Sequence, residues 1–313
     1  MAFKKFEKGE ENKNVKRNGC ACRNCFPEIF HNNLFRLFFD NNWIDISASF
    51  DIIFLIKNVS AILVSTKKVN ISIILTAWAR PQYLEEQVER ILNQTVHPHE
   101  IVLWYNKPPP KTGFIEVKQR TNFKNEKYVK KILCDYNFGI IPRFSIASCM
   151  EGEYVCIFDD DTLPGERWLE NCLNYVDSEK TLCGTIGLRY LSKTELKTEK
   201  PRMGWEDMNA KLEFVDLVGH SWFFRREWAK YFWDEVPLLD DFGEDIHFCS
   251  MLQRHGIRAA CPPHPRDDKS LWGSVRPELG IDKVAISISR NRSKDFWNVV
   301  KYEIEKGYKP IHL

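Results

Sequence analysis

The 313-residue chain carries no long uninterrupted apolar run, no large net charge, no dense cysteine framework and no glycine in the turn after its first strand-like segment. Each absence removes a class of function. The longest apolar stretch, residues 52–64, is interrupted by Lys57 and Asn58 and falls short of the ~20 residues a spanning helix needs. It reads as a core segment ahead of a membrane-surface helix. Residues 1–18 mix Lys and Glu without the apolar centre of a secretory signal. With 45 basic and 43 acidic residues the formal charge is only +2, so no strong field argues for nucleic acid or an anionic membrane as partner. The ten cysteines are scattered, and Cys134, Cys156, Cys183 and Cys249 sit in apolar patterns where free thiols pack as small hydrophobes. The expectation is a soluble protein of a reducing, cytoplasmic compartment. Membrane-surface association and a luminal enzyme with an internal anchor are lesser alternatives.

What is present is 43% apolar content, enough for one large domain or a domain with an appendage. Residues 1–68 hold a charged start, Cys20, Cys22 and Cys25, an aromatic stretch and the 52–64 run, and read as an extension of unassigned fold. Those three cysteines with His31 could supply four zinc ligands, but the spacing is not a standard one and unpaired thiols are the plainer reading. From Val69 strand-like and helix-like segments alternate: strands at 69–76, 100–105, 128–133 and 154–158, with helices at 80–92 and 141–150. Alternating βαβ units imply an α/β fold with a mainly parallel sheet flanked by helices, whose ligands bind at the carboxyl ends of the strands. The second half reads as helices at 165–176, 226–232 and 244–255 and strands at 183–190 and 214–218, with Gly256 ending the third helix.

The chemistry concentrates at two places. Val155-Cys156-Ile157-Phe158 runs straight into Asp159-Asp160-Asp161. In an extended segment Asp159 and Asp161 would share one face and Asp160 would point opposite. Mg²⁺ and Mn²⁺ are commonly held by one or two carboxylates plus substrate phosphates, so a nucleoside diphosphate is the natural partner. An acidic turn after a core strand is the plain alternative. The second cluster is Asp240, Asp241, Glu244 and Asp245, followed by His264 between prolines. Acidic residues are favoured at any helix start. Here Asp245 could also act as a general base, and the imidazole of His264 could complete a metal shell. Trp205, Trp222, Phe223, Phe224, Trp228 and Trp233 crowd one segment. Most such rings are core, but Trp205 or Trp222 could serve as a sugar platform, and His220 shares that status.

The order of these segments resembles that of nucleotide-sugar glycosyltransferases with the GT-A fold. Residues 74–84 (ILTAWARPQYL) look like the first strand and donor-binding turn of family 2 glycosyltransferases. Residues 134–139, then Glu151-Gly152-Glu153-Tyr154 and Phe158-Asp159-Asp160-Asp161, resemble the approach to its D-x-D motif. Gly219 to Arg226, Trp233-Asp234-Glu235 and Gly243-Glu244-Asp245-Ile246 resemble its acceptor region and "ED" helix. The resemblance covers roughly residues 70–265. It implies a donor-binding half at 69–162 and an acceptor-binding half at 163–313. Asp161 would ligate Mn²⁺ or Mg²⁺, with Asp159 on the metal or the ribose. Thr76, Ala77, Arg80 and Asn106 would lie along the nucleotide, Asp160 in the same donor site would serve structure or a sugar hydroxyl, and Asp245, with Glu244 beside it, would be the catalytic pair. UDP is preferred because most relatives use it.

The resemblance thus implies a hexosyl- or N-acetylhexosaminyl-transferase moving sugar from a UDP-sugar to a hydroxyl on a glycan, glycoprotein or related acceptor. One departure stands out. Where family 2 members commonly carry an acidic residue that reads the base, this chain has Trp104-Tyr105-Asn106-Lys107. That segment looks instead like the exostosin-like N-acetylhexosaminyltransferases, which retain anomeric configuration. The role of Asp245 as base therefore hangs on stereochemistry. Two alternatives stay open: a sugar-phosphate nucleotidyltransferase, which should carry a glycine-rich phosphate loop where Ala77-Trp78-Ala79-Arg80 stands, and a non-catalytic carbohydrate or partner-binding module on the same fold.

Overall fold

The computed structural model describes residues 34–39, 42–47, 69–107, 122–193, 195, 197–205, 208–282, 285 and 292–313. The cysteines and His31 read as a zinc set, and the 52–64 run, lie outside the described residues. The chain divides into two compact units, residues 1–68 and 69–313. In the first, β1 (Leu34–Phe39) and β2 (Asn42–Ser47) pair antiparallel.

The second unit is an eight-stranded sheet. Its members are β3 (Ile71–Ala77), β4 (Glu100–Tyr105), β5 (Val129–Leu133), β6 (Tyr154–Phe158), β7 (Thr181–Leu188), β8 (Glu213–Val215), β9 (Leu217–Arg225) and β10 (Arg258–Cys261). They lie in the order β5-β4-β3-β6-β9-β7-β10-β8. The β5-β4-β3-β6 half is parallel throughout, as the βαβ pattern implies. Beyond it β9 runs antiparallel to both β6 and β7, which makes the sheet mixed. β3, β4 and β6 read as near-continuous apolar runs because both faces of this part of the sheet are covered.

Five helices accompany the sheet among the described residues: α1 (Leu84–Leu92), α2 (Pro142–Ser148), α3 (Trp168–Val176), α4 (Glu244–Arg254) and α5 (Ser293–Glu305). In α1, Leu84, Gln87, Val88 and Ile91 are buried, the i, i+3, i+4, i+7 stripe of an amphipathic helix. Glu85 and Glu86 stand in its first turn, where the dipole favours anions. The short helix expected at 226–232 is a 3₁₀ helix, Arg226–Trp233.

α4 is fastened from two sides. His247, 1% exposed, pairs through Nδ1 with Glu303 of α5 at 2.8 Å and through Nε2 with the Phe232 carbonyl at 3.0 Å. Gly243 precedes α4 with φ +82°, and a Cβ there would lie 2.9 Å from Val299 of α5, so only glycine fits both the backbone and the contact. Cys134, Cys149, Cys156, Cys172, Cys183, Cys249 and Cys261 are free thiols. Among the described residues no helix is long and apolar enough to cross a membrane.

Candidate active site

The carboxyl ends of β3, β4 and β6 open onto a cleft of about 600 Å³. Both acidic clusters line it: Asp159, Asp160 and Asp161 on one wall, Asp240, Asp241, Glu244 and Asp245 on another. Thr76, Arg80, Asn106, His220 and Trp222 complete the set of sequence-proposed residues found there.

The acidic triplet is not an extension of its strand. β6 ends at Phe158, and the Thr162 N–H donates to the Asp159 carbonyl at 3.1 Å, closing a four-residue turn. The alternation expected of a strand therefore fails, and all three aspartates reach the cleft. The turn is fixed from three directions. The Asp159 N–H and the Thr162 hydroxyl both donate to the His220 carbonyl, at 3.0 and 2.9 Å. Thr76 donates from its hydroxyl to the Phe158 carbonyl at 3.0 Å. From below, the buried Gln87 amide donates to the carbonyls of Asp159 and Thr162 at 2.8 and 2.7 Å.

Gln87→Leu keeps the shape of α1 but leaves both carbonyls without that donor. The Asp159 carbonyl keeps the Thr162 N–H, so the Thr162 carbonyl is the one left unsatisfied; at about 1–3 kcal/mol for such a group, a thermal melt should fall by roughly 2–12 °C for a unit of this size. An unchanged melting temperature would show that the turn holds without the amide.

Two buried arginines compensate the triplet. Arg80, 5% exposed, donates from Nη1 to Asp160 at 2.7 Å and lies 3.2 Å from Asp161. Its Nε and Nη2 donate to the two oxygens of Asp282, each at 2.8 Å. Asp160 also accepts from the Ala79 and Arg80 N–H groups at 2.6 and 2.9 Å. Asp160, expected to serve structure or a sugar hydroxyl, has both oxygens committed to shaping the turn after β3. Arg143, on the first turn of α2, donates to Asp159 and to Glu244, joining the two acidic walls. Its guanidinium lies 4.2 Å over the Trp222 ring, a geometry in which cation and ring attract.

These placements shift the carboxylates in opposite directions. Burial raises Asp159, Asp160 and Glu244. It works against Asp161 too, but His220 and Arg80 outweigh it and hold that carboxyl down at about 2. Burial and the neighbouring Glu244 push Asp245 up to about 8. His220 sits with Nδ1 3.4 Å from Asp161, in the left-handed region at φ +65°. A non-glycine residue there is uncommon, and such positions cluster at functional sites.

Several expectations are corrected. His264 is no metal ligand here: it is fully buried, Nδ1 donates to the Pro262 carbonyl at 2.8 Å, and Nε2 accepts from the Gly273 N–H at 3.0 Å, so neither ring nitrogen has a lone pair to offer. Asn106 lines the cleft but holds a loop. Its Nδ2 donates to Asn137 Oδ1 and the Gly139 carbonyl at 2.9 and 2.8 Å, and its Oδ1 accepts from the Phe138 N–H at 2.9 Å. Ala77 lies below the floor, its carbonyl accepting from the Asn106 N–H at 3.0 Å. Trp222, 1% exposed, is the platform of Arg143 rather than of a sugar. Trp205 packs edge-on against His220 at 4.8 Å and does not line the cleft.

Sequence reasoning missed Arg143 and Gln87. A signal existed: both occupy buried helix positions among apolar neighbours, Arg143 beside Phe144 and Ala147, Gln87 within the α1 stripe. A polar side chain in an apolar stripe has to meet a partner.

Among the described residues no group of three His, Cys, Asp or Glu side chains is arranged to hold a metal. The cleft nevertheless sets seven carboxylates against two arginines. A cleft of that charge favours a cation, and Asp159 and Asp161 are the carboxylates that could contribute oxygen ligands to Mg²⁺ or Mn²⁺.

The profile of Glycosyl transferase family 2 matches residues 72–233, just over half of the chain. An uncharacterized glycosyltransferase of Haemophilus influenzae is 25% identical over 211 residues, covering 61% of this chain and 62% of that protein. The match therefore spans less than two thirds of that relative's length. Among solved structures, S. aureus TarS 1-349 in complex with UDP is 15% identical with a TM-score of 0.43, covering 62% of this chain and 60% of that one. The structure of S. aureus TarS gives 16% and 0.38, covering 62% and 37%.

Proposed function

The chain belongs to glycosyl transferase family 2 and has the GT-A fold, and on that premise we propose that it transfers a sugar from a nucleoside diphosphate sugar to a hydroxyl acceptor in the cleft at the ends of β3, β4 and β6. The observation that carries this reading is the bridge made by Arg143, which brings the acidic turn after β6 and the Glu244-Asp245 start of α4 into one site. The resemblance favours a UDP-sugar as donor and a glycan or glycoprotein as acceptor.

In this reading Thr76, Arg80 and Trp78, which also lines the cleft, lie along the nucleotide, and Asp159 and Asp161 would hold Mn²⁺ or Mg²⁺. A cation bound there supplies countercharge for the diphosphate leaving group. The remaining work falls to the chain's own residues. Positioning and a field complementary to developing charge carry most of such catalysis. Asp245, protonated at neutral pH because of its burial beside Glu244, takes the acceptor proton only once ionised. If the reaction inverts configuration, Asp245 is the base. If it retains, Asp245 binds the acceptor or steadies the cationic sugar.

A thermal-shift series with UDP, GDP and CDP, each with and without Mn²⁺ or Mg²⁺, tests the reading. A ligand at 100 times its Kd stabilises the folded chain by about 2.7 kcal/mol, so the matching pair should raise the melting temperature by roughly 5–10 °C. Nucleotide and cation should each do much less alone. No shift with any pair would overturn the reading. Donor hydrolysis across a panel of nucleotide sugars would then name the sugar.

A further inference from the structure

The rings that the sequence offers as platforms present no free face to the cleft, yet two other rings do. Tyr136 and Phe138 line it and are 65% and 54% exposed, with centroids 5.1 Å apart. Their loop is held firmly. Asn106, 4% exposed, makes the three hydrogen bonds that hold Asn137, Phe138 and Gly139, and Asn137 Oδ1 accepts in addition from the Gly139 N–H at 2.9 Å. Gly139 itself takes φ +76°, where a Cβ would lie 3.2 Å from the Asp240 carbonyl. A buried amide that fixes two large apolar rings in water adds little to stability by itself. Exposed apolar surface at the mouth of a site marks a place where something binds.

Position selects the ligand. The ring-bearing loop follows β5 and is tied to the end of β4, whereas the acidic turn follows β6. Neighbouring strands lie about 4.8 Å apart, so the ledge stands two to three spacings, roughly 10–14 Å, from the turn. That is the reach of a nucleoside diphosphate from its terminal phosphate to its base. With the diphosphate at the aspartates, the base arrives at the ledge, and the transferred sugar lies on the far side, toward Asp245. The Asn106 amide is committed to the loop, so this side chain does not read the base edge. Stacking is the interaction the ledge still offers, since every base has a π face.

Resting on the reading of the donor as a nucleotide sugar, we infer that Tyr136 and Phe138 form the stacking ledge that holds the donor's nucleobase. The test is calorimetric titration of the full chain with Mn²⁺ present, using whichever of UDP, GDP or CDP binds tightest, beside ribose 5-diphosphate, which lacks a base. Tyr136→Ala and Phe138→Ala should each weaken the nucleotide by about 10-fold and leave ribose 5-diphosphate unchanged, while Tyr136→Phe keeps wild-type affinity. In turnover the donor KM should rise, with kcat at saturating donor and the acceptor KM unaltered. Equal losses for both ligands would make the ledge merely structural, and a rise confined to the acceptor KM would give it to the acceptor; either overturns the inference. Failure of the wild-type chain to bind either ligand would instead overturn the donor reading beneath it.

Discussion

Asp245→Asn should stop sugar transfer while leaving nucleotide and cation binding as in the wild-type chain, and it should do so without lowering the melting temperature at pH 8. A positioned general base contributes about 10²–10⁴-fold, which sets the expected loss in kcat if the reaction inverts. The stability arm follows from the charge state. Burial and Glu244 push the Asp245 carboxyl up to about 8, above the ~3.9 of an unfolded chain. Between those values the folded state holds a proton the unfolded state has released, so this group's contribution to stability declines as pH rises through the window. An amide at the same place removes that decline, so the variant should melt at or above the wild-type temperature at pH 8.

The groups whose charge reaches Asp245 are Glu244 on its own helix, Arg143 from α2 and Asp159 from the turn after β6, while on the inner side it faces the neutral Tyr190 and Cys249, which it pushes up in turn. The same shift sets the rate profile. A base active when ionised gives a rate that rises with pH, with the acidic limb near 8 rather than near 4. Glu244→Gln removes the like charge and should move that limb lower. Normal turnover by Asp245→Asn would take the residue out of the chemistry, and a melting temperature that fell in step with activity would reduce its role to structure.

How much of this was legible depended on whether the pattern was local. The run from β3 to β6 could be read because β3, β4 and β6 are β-branched or apolar runs and the helix after β3 carries its own apolar stripe. β9 could not. Its nine residues, Leu217–Arg225, hold Gly219, His220 and Ser221 before the rings begin, so neither alternation nor a continuous apolar run announces a strand. Only pairing with β6 and β7 makes it one. That matters for the site, because β9 delivers His220 to the aspartates. The four-residue β10 and the helix α5 likewise depend on partners distant in sequence. At the site, the acidic residue types were plain and their geometry was not. The triplet's strand-like alternation gave way to a turn because Gln87, Thr76 and the His220 carbonyl, all remote in sequence, hold its backbone. The rings follow the same logic: a tryptophan count says how much surface is available to bury, whereas a free face depends on what covers it, and Arg143 covers Trp222.

Arg143→Met should be the most destabilising single change in the cleft, and the deficit should grow with pH. The guanidinium is 5% exposed, lies between Asp159 and Glu244, and stacks on Trp222. Methionine can occupy much of the stem's volume, but it leaves two carboxylates without their counterion. Removing one partner of a buried ion pair typically costs about 3–5 kcal/mol, a fall of roughly 6–20 °C for a unit of this size. Burial already raises both carboxylates while Arg143 pulls them down. Without the arginine they rise further, so the variant folds best where both are protonated. The gap to wild type should be smallest at the acid end, near the ordinary carboxylate range, and widen as pH climbs to 8. Melting curves at several pH values, with wild type measured alongside, check the sign. Mn²⁺ with nucleotide should recover part of the loss, because a cation at Asp159 replaces the missing charge on one of the two walls. A deficit that did not change with pH would place the arginine's contribution in its packing on Trp222 instead of in its charge.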